Sequence, residues 1–138
     1  MSVGAVLLDR PTSTADRVGR VLLALCAVST LGAFANGVLI MTQVSDARVI
    51  TEAWRTFAYL VFAGLWAMMA AAPRRQPGVW ELVLLQKTAI TVFALAALDL
   101  PDARMTFFVD LSLVVATTAA YVLCRGWEGW RTSAVRSS

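Results

Sequence analysis

Four ionisable residues, Arg55, Glu81, Lys87 and Asp110, stand within or at the edge of long apolar stretches, and the amide of Asn36 is considered with them. In hydrocarbon an unpaired charge costs about 3 kcal/mol or more, so such residues pair with one another, face the interior of a helix assembly, or line a wet path. The chemistry open to them is therefore ion pairing, proton or ion relay, and ligand anchoring. Lys87, near the midpoint of its apolar stretch, is the one to examine first.

The sequence excludes a good deal of other chemistry. It has no histidine, which closes bis-His haem ligation, His-based zinc or copper sites and Ser-His-Asp catalysis. Its two cysteines, Cys26 and Cys124, form no CxxC and read first as small buried hydrophobes, with a thiol redox pair as the lesser alternative. No catalytic residue, metal site or cofactor is expected. Net charge is +3, from 12 basic and 9 acidic residues, and the basic ones lie mainly in the tails and one short loop. Nucleic acid is thus not an expected partner. Eleven of the basic residues are Arg, and Ala and Val are abundant, a composition that suggests a GC-rich bacterial genome.

The elements that would position these residues are membrane helices. Of 138 residues 59% are hydrophobic and 15% charged, against about 25% charged in an ordinary soluble domain. Val21 to Thr42 is a run of 22 residues without a charge and Thr56 to Ala72 one of 17. Val79 to Leu98 is interrupted only by Glu81 and Lys87, and Thr106 to Cys124 only by Asp110. At about 1.5 Å per residue each run, with its flanks, crosses a hydrocarbon layer about 30 Å thick, and lipid tolerates no unpaired backbone. The fold class is therefore all-α, one membrane domain over residues 1–138, with helices over 20–42, 53–72, 78–98 and 105–125.

Ser13 and Asp16 have capping-box-like spacing, Pro73 closes the second helix, Pro77 suits the first turn of the third, and Pro101-Asp102 separates the third from the fourth. Short links imply antiparallel neighbours and an up-down-up-down four-helix bundle. The apolar run Val3 to Leu8 is too short for a signal peptide, so the first helix is expected to remain in the mature protein. Eight arginines (10, 17, 20, 74, 75, 125, 131 and 136) fall on one side against three (48, 55 and 104) on the other. The positive-inside rule then places both termini in the cytoplasm of a bacterial plasma membrane, with Trp80, Trp127 and Trp130 at the inner interface and Trp54 at the outer one.

Within that layout Arg55 and Asp110 are expected to form an outer-leaflet ion pair, with Asn36 and Thr56 as hydrogen-bond partners. The Lys87 ammonium should lean toward the cytoplasm, where Glu81 stands six residues earlier, roughly 9 Å away along the axis. Ser29, Gly32, Ala33, Asn36 and Gly37 make a small-residue stripe on the first helix, suited to packing inside the bundle or to a dimer face.

Arg20 opening a small-residue helix, Trp54-Arg55 opening the second with Gly64 inside it, the basic turn Arg74-Arg75 and Phe108-Val109-Asp110 in the last helix together resemble DoxX-like small bacterial membrane proteins. The likeness spans roughly Arg20 to Arg125 and does not extend to Trp80-Glu81 or Gln86-Lys87. It implies a four-helix inner-membrane protein, sometimes linked with oxidoreductase or thiol-stress functions, and carries over no catalytic residue. The expected function is a non-enzymatic subunit or accessory protein in a homo-oligomer or beside a membrane partner. The alternatives are a small-solute or ion transporter using Glu81, Lys87 and Asp110, and a quinone- or thiol-linked redox component.

Overall fold

The computed structural model describes residues 11–137; the run Val3 to Leu8 and Arg10 lie outside the described residues. Every regular element among the described residues is a helix: α1 (Ser13–Met41), α2 (Asp46–Ala71), α3 (Val79–Ala96), α4 (Ala103–Cys124) and α5 (Glu128–Ser137). Three of them, α1, α3 and α4, are long and apolar enough to cross a membrane. The 26-residue α2 divides into a first part carrying Asp46, Arg48, Glu52 and Arg55 and an uncharged remainder from Thr56 to Ala71.

The first two helices begin about two turns earlier than the edge of the uncharged runs suggests, because a helix does not stop where the hydrocarbon does. In α1 the cap is Thr12 rather than Ser13: its hydroxyl accepts from the Ala15 amide at 3.1 Å. Asp16 caps nothing and turns instead toward two arginines. Pro73 does follow the end of α2, as the restriction on residues before proline requires. Pro77 sits two residues before α3, outside its first turn, and the N-cap is Gly78 at φ 85, a left-handed conformation that costs a residue with Cβ. Left-handed Asp102 and Arg125 bound α4. After Arg125 the chain turns into the short α5, which is absent from the sequence-based layout; it follows a Gly126 that fits only because it lacks a Cβ, with Tyr121 and Trp80 side chains lying against it.

Contacts follow chain order with one exception. α1 packs along α2 and along α4, α3 packs along α4, and the seam between α2 and α3 is thin. The start of α1 meets the ends of α2 and α4, since Arg20 donates to the Ala70 and Ala71 carbonyls and Cys124 lies against Asp16. Toward the other end of α1, Gly37 lies directly on Thr56 of α2. The apolar core sits at the first of these levels, around Leu23, Cys26, Trp66, Met69, Trp80 and Val83. Trp80 is completely buried there, with its indole N–H donating to the Pro73 carbonyl at 2.9 Å, so it is a core residue and not an interface anchor.

At Gly37 α1 comes close against α2. A Cβ placed on it would lie 2.9 Å from Thr56 Cγ2 and nearer still to Thr56 Oγ1. Thr56 is fully buried and β-branched, so it has no room to swing aside. Gly37→Ala should therefore destabilise the protein by about 1–3 kcal/mol. Gly32→Ala, where no described atom lies within 4 Å, should be neutral or stabilise by up to about 1 kcal/mol. Thermal unfolding in detergent measures both; equal effects at the two positions would refute the close approach.

Candidate functional site

Seen from the polar residues upward, the interior has three charged levels. The middle one joins α3 to α4. Lys87 Nζ lies 2.9 Å from Asp110 Oδ1, with side chains only 7% and 12% exposed. The ammonium also stands 4.5 Å from the centroid of the Phe62 ring and 5.8 Å from that of Trp66, both on α2. Aromatic faces are electron-rich, so these rings add attraction that a desolvated ammonium keeps in full. Trp66 is held from its far side, its indole N–H donating to Thr117 Oγ1 of α4 at 3.0 Å. The Thr91 hydroxyl turns back on its own helix and donates to the Lys87 carbonyl at 2.7 Å.

The second level, in the first half of α2, is built on that helix alone. Glu52, 5% exposed, is flanked one turn away on each side by Arg48 at 3.1 Å and Arg55 at 2.6 Å. The Arg55 contact is an ion pair without hydrogen-bond alignment, since Glu52 Oε2 has no hydrogen-bond partner among the described residues. The expected Arg55 to Asp110 pair is thus not formed. Arg55 finds Glu52 three residues away on its own helix, which requires no ordering of a second segment, and Asp110 is neutralised by Lys87. Thr56 lends no hydrogen bond either; its buried hydroxyl has no partner among the described residues and serves as a packing surface for Gly37. Asn36 is exposed on α1 and takes part in none of these contacts.

At the third level, where α1 begins and α2 ends, two arginines converge on one aspartate. Arg20 Nε lies 2.8 Å from Asp16 Oδ2 and Arg74 Nη1 2.6 Å from Asp16 Oδ1. The same guanidinium groups donate to the last carbonyls of α2 and, through Arg74, to the Cys124 carbonyl at 2.9 Å. They therefore cap two helix C-termini, where cations are favoured. Glu81 is not the partner of Lys87. Its Oε1 accepts from the Tyr121 hydroxyl and from the Trp130 indole, each at 3.0 Å, and its Oε2 is buried without a hydrogen-bond partner among the described residues. Both cysteines are free and buried.

Of the five residues selected from sequence, the structure joins Lys87 with Asp110 and separates Asn36, Arg55 and Glu81. It adds Glu52, Asp16, Arg20 and Arg74. Glu52 carried a legible signal, an Arg-x3-Glu-x2-Arg spacing that places both cations on one side of a helix. Asp16 and Arg74 are 58 positions apart, and nothing local in the sequence announces their contact. No group of three or more metal-ligating side chains occurs among the described residues.

Truncating one partner of a buried ion pair leaves the other charge bare, at a cost of about 3–5 kcal/mol, whereas replacing both by apolar groups is often near neutral. Lys87→Met and Asp110→Leu should each destabilise strongly, and the double variant should recover most of the loss. Arg55→Ala should cost about 1 kcal/mol or less, because Arg55 is 41% exposed and Arg48 still serves Glu52. Unfolding in detergent for the four variants decides it, and a double variant as unstable as the sum of the singles would contradict the pair. No protein-family model, curated protein or solved structure matches the chain, so its function is argued from these residues.

Proposed function

We propose that the chain is a multi-pass protein of the bacterial plasma membrane, an up-down-up-down four-helix bundle with both termini in the cytoplasm. In this reading it acts as a non-enzymatic subunit or accessory protein in an oligomer or partner complex. The membrane part is supported by an inverted distribution of residues. The interior holds Glu52, Lys87, Asp110, Thr56 and Thr117, while Leu25, Val28, Phe57, Leu85, Phe93 and Val115 are exposed. In water such a surface aggregates; in lipid it is the solvated face.

Four crossings, rather than three, follow from how α2 lies on α1. Its last turn meets Arg20 and Thr56, the first residue of its uncharged part, meets Gly37, two positions roughly 25 Å apart on α1. A helix that accompanies a membrane-spanning neighbour over that length shares its depth. An even number of crossings keeps Arg20, Arg74, Arg75 and Arg125 on one side, as the positive-inside rule favours. This is also the architecture that the DoxX-like resemblance implies.

The observation that carries the accessory role is the Lys87–Asp110 contact. A transport path needs a charge that exchanges partners with its cargo, and here the mid-depth cation already has a carboxylate at 2.9 Å and an aromatic ring beneath it. The charges act as fasteners in this reading, and function lies in what the assembled helices bind.

Two experiments test this. In proteoliposomes, flux of protons or small ions through the wild-type chain should equal that of empty vesicles; flux that is abolished by Lys87→Met and Asp110→Asn would establish the transport reading instead. For orientation, Ser45→Cys should react with an impermeant thiol reagent from outside intact cells, and Ser133→Cys only after permeabilisation. Both positions reacting from outside, or the reverse pattern, would rule out the proposed topology.

A further inference from the structure

Gln86 lies near the middle of α3, seven residues after its first and ten before its last, so its backbone is about 10 Å from one end and about 15 Å from the other. Lys87 beside it turns inward to Asp110, but Gln86 is exposed and makes no hydrogen bond among the described residues. Two exposed serines on the spanning helices answer the same condition within their own backbone: Ser29 donates to the Cys26 carbonyl at 3.0 Å and Ser112 to the Phe108 carbonyl at 2.7 Å, a route that the longer amide side chain of Gln86 does not take. An amide cannot be left bare in hydrocarbon without a large penalty, and from this depth its short side chain does not reach the headgroups. A partner must bring the missing donor and acceptor.

We propose that this face of α3 docks a second copy of the chain, with the two Gln86 amides bonded to each other across a two-fold axis along the membrane normal. The inference rests on the membrane reading above. A carboxamide is donor and acceptor at once and so complements itself. Two copies inserted in the same orientation bring Gln86 to one depth without further design, as an isologous interface requires. Leu82, Ala89 and Phe93, spaced four before and three and seven after Gln86, share its face and are all exposed. The small Ala89 one turn away lets the two backbones approach closely enough for the amides to meet. Asn36 is also exposed and unpartnered among the described residues. It stands five residues from the end of α1, about 8 Å, where water and headgroups are within reach.

The test uses the full chain, labelled with donor and acceptor dyes and diluted in vesicles of phosphatidylethanolamine and phosphatidylglycerol. A dimer is expected, its dissociation constant raised about tenfold by Gln86→Leu and unchanged by Asn36→Leu. Because the native thiols are buried, a single thiol introduced by Phe93→Cys, which keeps the amide, should cross-link two copies under oxidation, and one introduced by Val28→Cys on α1 should not. A monomer at every lipid dilution, a dimer indifferent to Gln86→Leu, or cross-linking at Val28 rather than Phe93 overturns the proposal. Extraction of the chain by alkaline carbonate would overturn the membrane reading as well, whereas a firmly inserted monomer overturns only the dimer.

Discussion

The contact on which the remaining structure depends is the ion pair between Lys87 and Asp110. Apolar helices gain little from meeting one another in lipid, because the lipid is as apolar as they are. What distinguishes one packing from another is therefore the small set of polar groups that must be matched. Lys87 and Asp110 are the buried ion pair among these, and matching them sets the register of α3 on α4. Once that register is set, Glu81 falls beside Tyr121, and Tyr121 packs edge-on against Trp80 at 5.5 Å and against Trp127 at the same distance.

The same requirement explains why the end at which α1 begins is elaborate and the opposite end spare. At the first of these ends α2 and α4 both terminate, leaving carbonyls without helical partners. Arg20 and Arg74 satisfy carbonyls of both helices while sharing Asp16, so a single carboxylate holds α1, α2 and α4 at one level. Toward the opposite end charge is matched within α2, and the contact with α1 is steric, a threonine seated on a glycine. Loss of a steric fit loosens two helices, whereas loss of Asp16 would uncouple three.

How much of this was legible in the sequence depends on the range of each interaction. Uncharged runs located the long helices, because hydrophobic length is a local property. Lys87 and Asp110 were identifiable as residues needing partners, for the same reason. Their pairing was not, because it depends on the rotation of α3 against α4, and a sequence fixes neither angle. Arg55 was assigned to Asp110 on depth alone, and the first turns of α2 were counted as loop, which hid Glu52 as a nearer partner. The failure at Trp80 is similar: an indole near a helix start reads as an interface anchor until Tyr121 near the end of α4 and Gly126 in the turn after it are known to lie against it.

The position of Lys87 also accounts for a peculiarity of the packing. α2 and α3 are adjacent in sequence, joined by a short turn, yet share the thinnest seam among the long helices. Each instead finds its main partner elsewhere, α2 on α1 and α3 on α4. The two hairpins are joined by α1 against α4, and across the open seam by the Lys87 ammonium over Phe62 and Trp66. That second tie is electrostatic and nearly free of lipid competition, since a hydrocarbon chain has nothing to offer a cation. One lysine thus neutralises α4 and holds α2, and a seam with few contacts is closed by a group that neither helix can satisfy in any other way.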